Sequence, residues 1–322
     1  MKILHHTINI IQPWNTFQPS IDLSLTKFRK KSTSSETYLN NISDLFTRYP
    51  DHEHIYTDGS KHLNRTGCSL VHRDDRILYP LPQHFSTLST ELFAIKLALI
   101  YAHEFSIQIT LIISDSLSAL LTIQNYHSKK QHPISQDIAH FLAINSEKSI
   151  TLCWSPSHKN IPLNELADLS AKQSLHLSPI PNIPIPLPDI KISIKNISET
   201  LFQHYWSQIP NSNKLKSIRH SIEPWNYPSS LSRRDEVILT RIHTGHSLLT
   251  HGHLLSRQPS PVCDTCNVPV TVHHILTDCT KYRSPRHLYF PNPDPPCIHQ
   301  NNPNQITKLL KFLHSTSLYN LI

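Results

Sequence analysis

The sequence predicts an α/β domain, a mixed five-stranded sheet flanked by helices, followed by a small and mainly helical C-terminal domain. Three observations lead there. Between His54 and Leu81 the runs HIYTDGS, GCSLVHR and RILYPL are short, separated by polar turns, and read as three successive strands. STLSTELFAIKLALIYAHEF (86–105) repeats Leu88, Leu92, Ile95, Leu99 and Ala102 at helical spacing. ITLIISD (109–115) is an unbroken apolar run ending in an acid, as expected of a parallel strand buried on both faces.

The remaining elements follow in order. Residues 1–51 form an extension, irregular as far as FRKK (28–31). An amphipathic helix over 32–49 then places Tyr38, Ile42, Leu45 and Phe46 on one side, and Pro50 closes it. After the central strand come two helical stretches, SLSALLTIQNY and ISQDIAHFLAINSE. A strand, ITLCWS (150–155), and a helix around NELADLSAKQS complete the domain. The order βββαβααβα over residues 52–176 fits one mixed sheet with helices on its faces. SPIPNIPIPLPD (178–189) holds five prolines, so 177–190 reads as a semi-rigid linker. In the region 191–322, Ile192–Ile209 and Ser232–Thr244 read as helices, the second stopped by Gly245.

Hydrophobic residues make up 38% and charged residues 16%, a globular composition that excludes wholesale disorder. Lys and Arg against Asp and Glu number 6 and 4 over residues 1–51, 10 and 11 over 52–174, and 14 and 8 over 175–322. The excess positive charge therefore sits in the C-terminal region, where a polyanionic partner and an ordinary solvated surface are both open readings. No apolar run is long enough for a signal peptide or a membrane span. The expectation is an intracellular, reducing location with no membrane partner.

Asp58 ends the first predicted strand and Asp115 the central one. Adjacent parallel strands would bring both acids to one sheet edge, where open α/β sheets bind ligands. Glu91, in the first turn of the long helix, leans toward the same edge, and Asp168 opens the last helix. Four carboxylates so gathered repel one another unless cations neutralise them, and hard oxygen ligands suit two Mg²⁺ or Mn²⁺ ions. Two such ions, roughly 3.5–4 Å apart, activate a water and stabilise a leaving oxygen in phosphodiester hydrolysis. His158, in the loop before the last helix, is placed to move protons. Each residue also has an ordinary reading when taken singly: a strand-end Asp as a turn former, Glu91 as a dipole-favoured first-turn acid, His158 as a loop residue.

TDGS, TELFAI, SDS and WSPSHKNIPLNELADLSAK together resemble the motifs of the ribonuclease H family, in order across residues 52–174. The resemblance implies that Asp58, Glu91, Asp115 and Asp168 are metal ligands, that His158 is the mobile-loop histidine, and that the activity is endonucleolytic cleavage of the RNA strand of RNA/DNA hybrids. Contacts to the RNA 2′-hydroxyls are expected near Ser60 and Thr90. Lys129 and Lys130 stand where some members carry a basic substrate-binding protrusion. HKNIPLNELAD departs from the family pattern, with Asn160 and Leu163 where glycines are usual. Asn tolerates left-handed backbone and Leu does not, so a shifted loop is expected. A related nuclease acting on DNA, of the integrase or resolvase kind, fits the motif order poorly.

Three of the six cysteines crowd into CDTCNVPVTVHHILTDC. Cys263 and Cys266 form a CxxC knuckle, and with His274 and Cys279 they would close a tetrahedral Zn²⁺ site. His273 is the competing ligand, and buried unligated cysteines are the plain alternative. Arg233, Arg234, Arg241, Arg257, Lys281, Arg283 and Arg286 surround the cluster as candidate phosphate contacts. SRRDEVILTRIHTGHSLLTHGHLLSR with the cluster resembles the C-terminal tail of non-LTR retrotransposon polyproteins, and residues 1–51 resemble the segment upstream of ribonuclease H in those elements. No reverse transcriptase motif is present. The resemblance implies either a nuclease from such a reading frame or a nucleic-acid-binding remnant that no longer cleaves.

Overall fold

The computed structural model describes residues 17–28, 32–127, 132–178, 180–210, 213, 216, 221–223, 227–291 and 303–322. Lys129, Lys130, Cys297 and the first sixteen residues lie outside the described residues. The chain splits into two compact units, Met1–Lys195 and Asn196–Ile322. Among the described residues no helix is long and apolar enough to cross a membrane.

The first unit is built on strands β1 (Ser20–Asp22), β2 (Glu53–His62), β3 (Arg65–His72), β4 (Asp75–Leu81), β5 (Ile109–Ser114) and β6 (Ser149–Trp154). They lie in the order β1-β6-β5-β2-β3-β4. β2, β5, β6 and β1 run parallel, while β3 and β4 continue from β2 as an antiparallel meander. The mixed α/β sheet is as expected, with one strand more. β1 falls in the segment read as irregular, because three residues are too few to display a period. Its existence depends on its partner: Ser20, Ile21 and Asp22 pair with Thr151, Leu152 and Cys153, and the Ser20 and Thr151 hydroxyls meet at 3.0 Å.

Helices α1 (Ser35–Thr47), α2 (Thr87–Glu104), α3 (Leu117–Gln124), α4 (Pro133–Ile144) and α5 (Pro162–Ser174) complete the layers. The apolar stripe of α2 is wider than its sequence period suggests. Phe93, Ala94, Leu97, Ala98 and Tyr101 are buried along with Leu92, Ile95, Leu99 and Ala102, so this is a core helix covered nearly all round. Gly59 lets β2 touch it: a Cβ there would stand 2.6 Å from the Glu91 amide nitrogen and 2.7 Å from the Thr90 carbonyl carbon. The Pro-rich segment carries Ile183 and Ile185 onto the same core. A helix, α6 (Leu187–Gln208), begins within its last residues, where buried Asp189 accepts the Ser86 N–H at 3.0 Å.

The second unit has its own core, in which Ile238, Leu239 and Ile242 of α7 (Arg233–Thr244) meet Val272, Ile275, Leu276, Phe312 and Leu313. α7 opens with a Ser232–Asp235 capping box and closes at Gly245 with φ 69°, the left-handed stop expected from sequence. α8 (Leu248–Ser256), α9 (Arg283–Tyr289) and α10 (Pro303–Ser315) follow.

Gly59→Ala forces the Gly59 and Glu91 backbones apart. We expect a loss of about 1–3 kcal/mol in urea unfolding. An unchanged midpoint would show that the contact between β2 and α2 is not tight.

Candidate active site

The parallel register of β2 with β5 ends at the pair Thr57 and Ser114, so Asp58 and Asp115 are the next residues on neighbouring strands. Asp58 does not end its strand. β2 runs on to His62, paired only with β3 beyond this point, and the acid marks where β5 stops rather than where β2 does. The Asp115 backbone is pinned by the Trp154 indole, which donates to its carbonyl at 3.1 Å. Glu91 enters from α2, one turn later than expected, and the Gly59 N–H donates to it. Ligand atoms of Asp58, Glu91 and Asp115 lie within 4.8 Å of one another.

This grouping is electrostatically costly without a cation. Burial, then the charges of Asp115 and Asp168, push the Asp58 carboxyl up to about 8, against an ordinary value of 3.8. Burial and the charge of Asp58 raise Glu91 well above the usual carboxylate range, and its Oε2 is buried with no hydrogen-bond partner. Converging hard oxygens, one of them orphaned and those of Asp58 and Glu91 held against ionisation, suit a small divalent cation.

Asp168 stands apart from that triad. It lies two turns into α5 rather than at its start, and its Oδ2 accepts from Lys172 Nζ at 2.6 Å. Its own group is His158, Glu165 and Asp168, again within 4.8 Å. Its charge still reaches Asp58 and Glu91. Glu165 and Lys172 were not singled out from sequence. The signal was there, since i, i+3 and i+4 spacing from Asp168 puts both on its helix face. Oε1 of Glu165 is buried without a partner, and its Oε2 lies 3.7 Å from His158 Nδ1. His158 is exposed and left-handed (φ 54°), as is Asn160 (φ 61°). Leu163 causes no strain: it lies in the first turn of α5, and its side chain packs on the core. Thr90 is fully buried with its hydroxyl bonded to the Thr87 carbonyl, which removes it from any surface a nucleic acid touches.

In the second unit Cys263, Cys266, His274 and Cys279 converge within 4.8 Å. The knuckle is a tight hairpin in which the Cys263 N–H donates to Val268 O at 2.8 Å and Asn267 takes the left-handed turn position. Sγ of Cys279 lies 3.7 Å from that of Cys263 and 3.9 Å from that of Cys266. A tetrahedron with metal–sulfur bonds of about 2.3 Å has edges of about 3.8 Å, so the spacing fits zinc and is too long for a disulfide. His274 Nε2 is buried without a partner. His273 points away, 75% exposed and paired with Asp278. The Thr280 hydroxyl and N–H lower the Cys266 thiol, favouring a thiolate ligand.

Of the basic residues nearby, Arg286 donates to the carbonyls of Ile275 and Cys279, Arg241 to that of Ile322, Arg233 pairs with Glu236, and Arg234 lies over Tyr319. These four have internal partners, and Lys281 lies 5.7 Å from the centre of the Tyr282 ring. Arg257, Lys281 and Arg283 are exposed.

Residues 50–176 match the family model described as RNase H. No curated protein matches the chain. Among solved structures, the chain is similar to the native protease–reverse transcriptase of prototype foamy virus, with 21% identity over 40% of this chain and 21% of that one, and a TM-score of 0.34. The chain thus spans about a fifth of that protein's length.

A raised carboxyl pKa means that the folded state keeps protons the unfolded chain gives up. Asp58 therefore costs nothing below about pH 4, and stability is lost as pH climbs toward 8, by up to ~1.4 kcal/mol per unit. In metal-free protein, Asp58→Asn is expected to become progressively more stabilising relative to wild type between pH 4 and 8, read by urea unfolding. A difference that stays flat with pH would contradict the raised carboxyl.

Proposed function

We propose that the first unit hydrolyses the RNA strand of RNA/DNA hybrids, with Asp58, Glu91, Asp115 and Asp168 holding Mg²⁺ or Mn²⁺. The observation that carries this reading is the convergence of three carboxylates, Glu91 Oε2 buried and unpartnered among them, at the end of the β2–β5 pair. Match of the surrounding residues to the RNase H model supports the substrate class. When bound, a pair of divalent ions supplies an activated water and charge stabilisation at the leaving oxygen.

The chain's own groups do the rest. Gly59 and the core around α2 hold Glu91 fixed, so one acidic oxygen is presented without reorganisation. Asp58 and Asp115 contribute adjacent oxygens from two strands. Asp168 would hold the metal in place of its present partner Lys172, whose ammonium would then be available to a phosphate. His158, open to solvent beside Glu165, takes up or returns a proton at its imidazole during turnover.

A second reading is favoured by the Asp168–Lys172 pair: a domain that binds hybrids with the fourth ligand permanently engaged, and does not cleave. For the second unit we infer a structural zinc ion on Cys263, Cys266, His274 and Cys279, with Arg257, Lys281 and Arg283 meeting nucleic-acid phosphates. The order of a ribonuclease H-like domain followed by a basic Cys/His unit supports origin in a non-LTR retrotransposon reading frame.

Purified protein is expected to nick a labelled RNA/DNA hybrid in Mg²⁺, and Asp115→Asn to lower the rate about a thousand-fold or more. Cleavage that survives this substitution would refute the site. Binding without any cleavage would establish the second reading. Metal analysis is expected to find one zinc per chain, lost in the double variant Cys263→Ser plus Cys266→Ser. Unchanged stoichiometry in that variant would eliminate the zinc site.

A further inference from the structure

Lys159 lies between the two left-handed residues of the loop joining β6 to α5, and its side chain behaves unlike that of its neighbour. The His158 side chain is 69% exposed. Lys159 is half-buried: its Nζ donates to the Thr33 carbonyl at 2.8 Å and lies 5.5 Å from the centre of the Tyr38 ring. Tyr38 is fully buried in α1, and its hydroxyl donates to the Phe28 carbonyl at 2.8 Å. An ammonium drawn out of water needs replacement partners, and a carbonyl oxygen plus an aromatic face supply them.

Both partners belong to residues before position 50, outside the part that matches the RNase H model. That same segment is fastened to β6, the strand that launches the loop. β1 pairs with β6, and Asp22 accepts from Arg48 at 3.1 Å, Tyr49 at 3.0 Å and the Ser24 N–H at 2.7 Å. Leu25, Ile42 and Leu45 anchor it in the core.

We propose that Lys159 is a positioning residue that tethers the His158 loop to α1, which makes β1 and α1 a working part of the catalytic unit. The loop between Trp154 and Pro162 belongs to no strand or helix, so its shape is set by contacts of this kind. The tether fixes where His158 stands relative to Glu165. Its effect on turnover rests on the ribonuclease reading; its effect on the loop does not.

The test uses the full chain and the variants Lys159→Met, Lys159→Arg, His158→Ala and the double variant Lys159→Met plus His158→Ala. Amide exchange over residues 157–161 is expected to speed up about tenfold in Lys159→Met, with β2 and α2 unaffected. With a hybrid substrate, kcat falls about tenfold at unchanged KM, and Lys159→Arg restores it. Lys159→Met adds nothing in the His158→Ala background. Unchanged exchange, or a full additional loss in the double variant, overturns the tether. A raised and more salt-sensitive KM with intact kcat also overturns it, because Lys159 would then be a phosphate contact. Should wild type leave hybrids intact, the ribonuclease reading fails, while the exchange result still decides the tether.

Discussion

Mutual repulsion among Asp58, Glu91 and Asp115 is the constraint around which the first unit is arranged. Three carboxylates share one small volume, and the nearby ammonium of Lys172 is bonded to Asp168. The surroundings hold them there regardless. β2 continues past the end of β5, Gly59 admits α2 to within backbone contact, and the Trp154 indole fixes Asp115 from the next strand. The folded chain carries an electrostatic cost at neutral pH, which the proposed divalent cation would relieve.

The support extends past the matched residues on both sides. Upstream, β1 and α1 fasten to β6 and to Lys159. Downstream, Ile183 and Ile185 lie on the core and Asp189 satisfies the Ser86 N–H at the start of the helix that carries Glu91. Two flanking segments thus reach the two ends of the site, one at the His158 loop and one at α2.

Much of this was legible in the sequence, because long apolar periods and acids at strand ends are local signals. The order of elements over 52–176, the stop at Gly245 and the four cysteine and histidine positions could be read directly. What escaped has a common cause in pairing across the chain. β1 is three residues long and exists only against Thr151–Cys153. Asp58 reads as a strand end, whereas β2 pairs with β3 as far as His62, beyond the point where its pairing with β5 stops. The preference of Asp168 for Lys172 and Glu165 over the triad depends on how far along α5 it sits, a boundary that Pro162 at the start of the helix fixes more sharply than the motif does. His274 joins the cysteines while Val272 and Ile275 beside it are buried in the second core.

β1 has a further meaning as an edge. Without it, β6 would present a row of unpaired amides and carbonyls along Thr151–Cys153, a template on which another strand can add. The three-residue strand is short enough to offer little edge of its own, and Arg48 and Asp22 place charge beside it. A chain trimmed to the matched residues would keep its acids and lose this guard, leaving the backbone edge of β6 open. Self-association, rather than a missing side chain, is the hazard such trimming introduces.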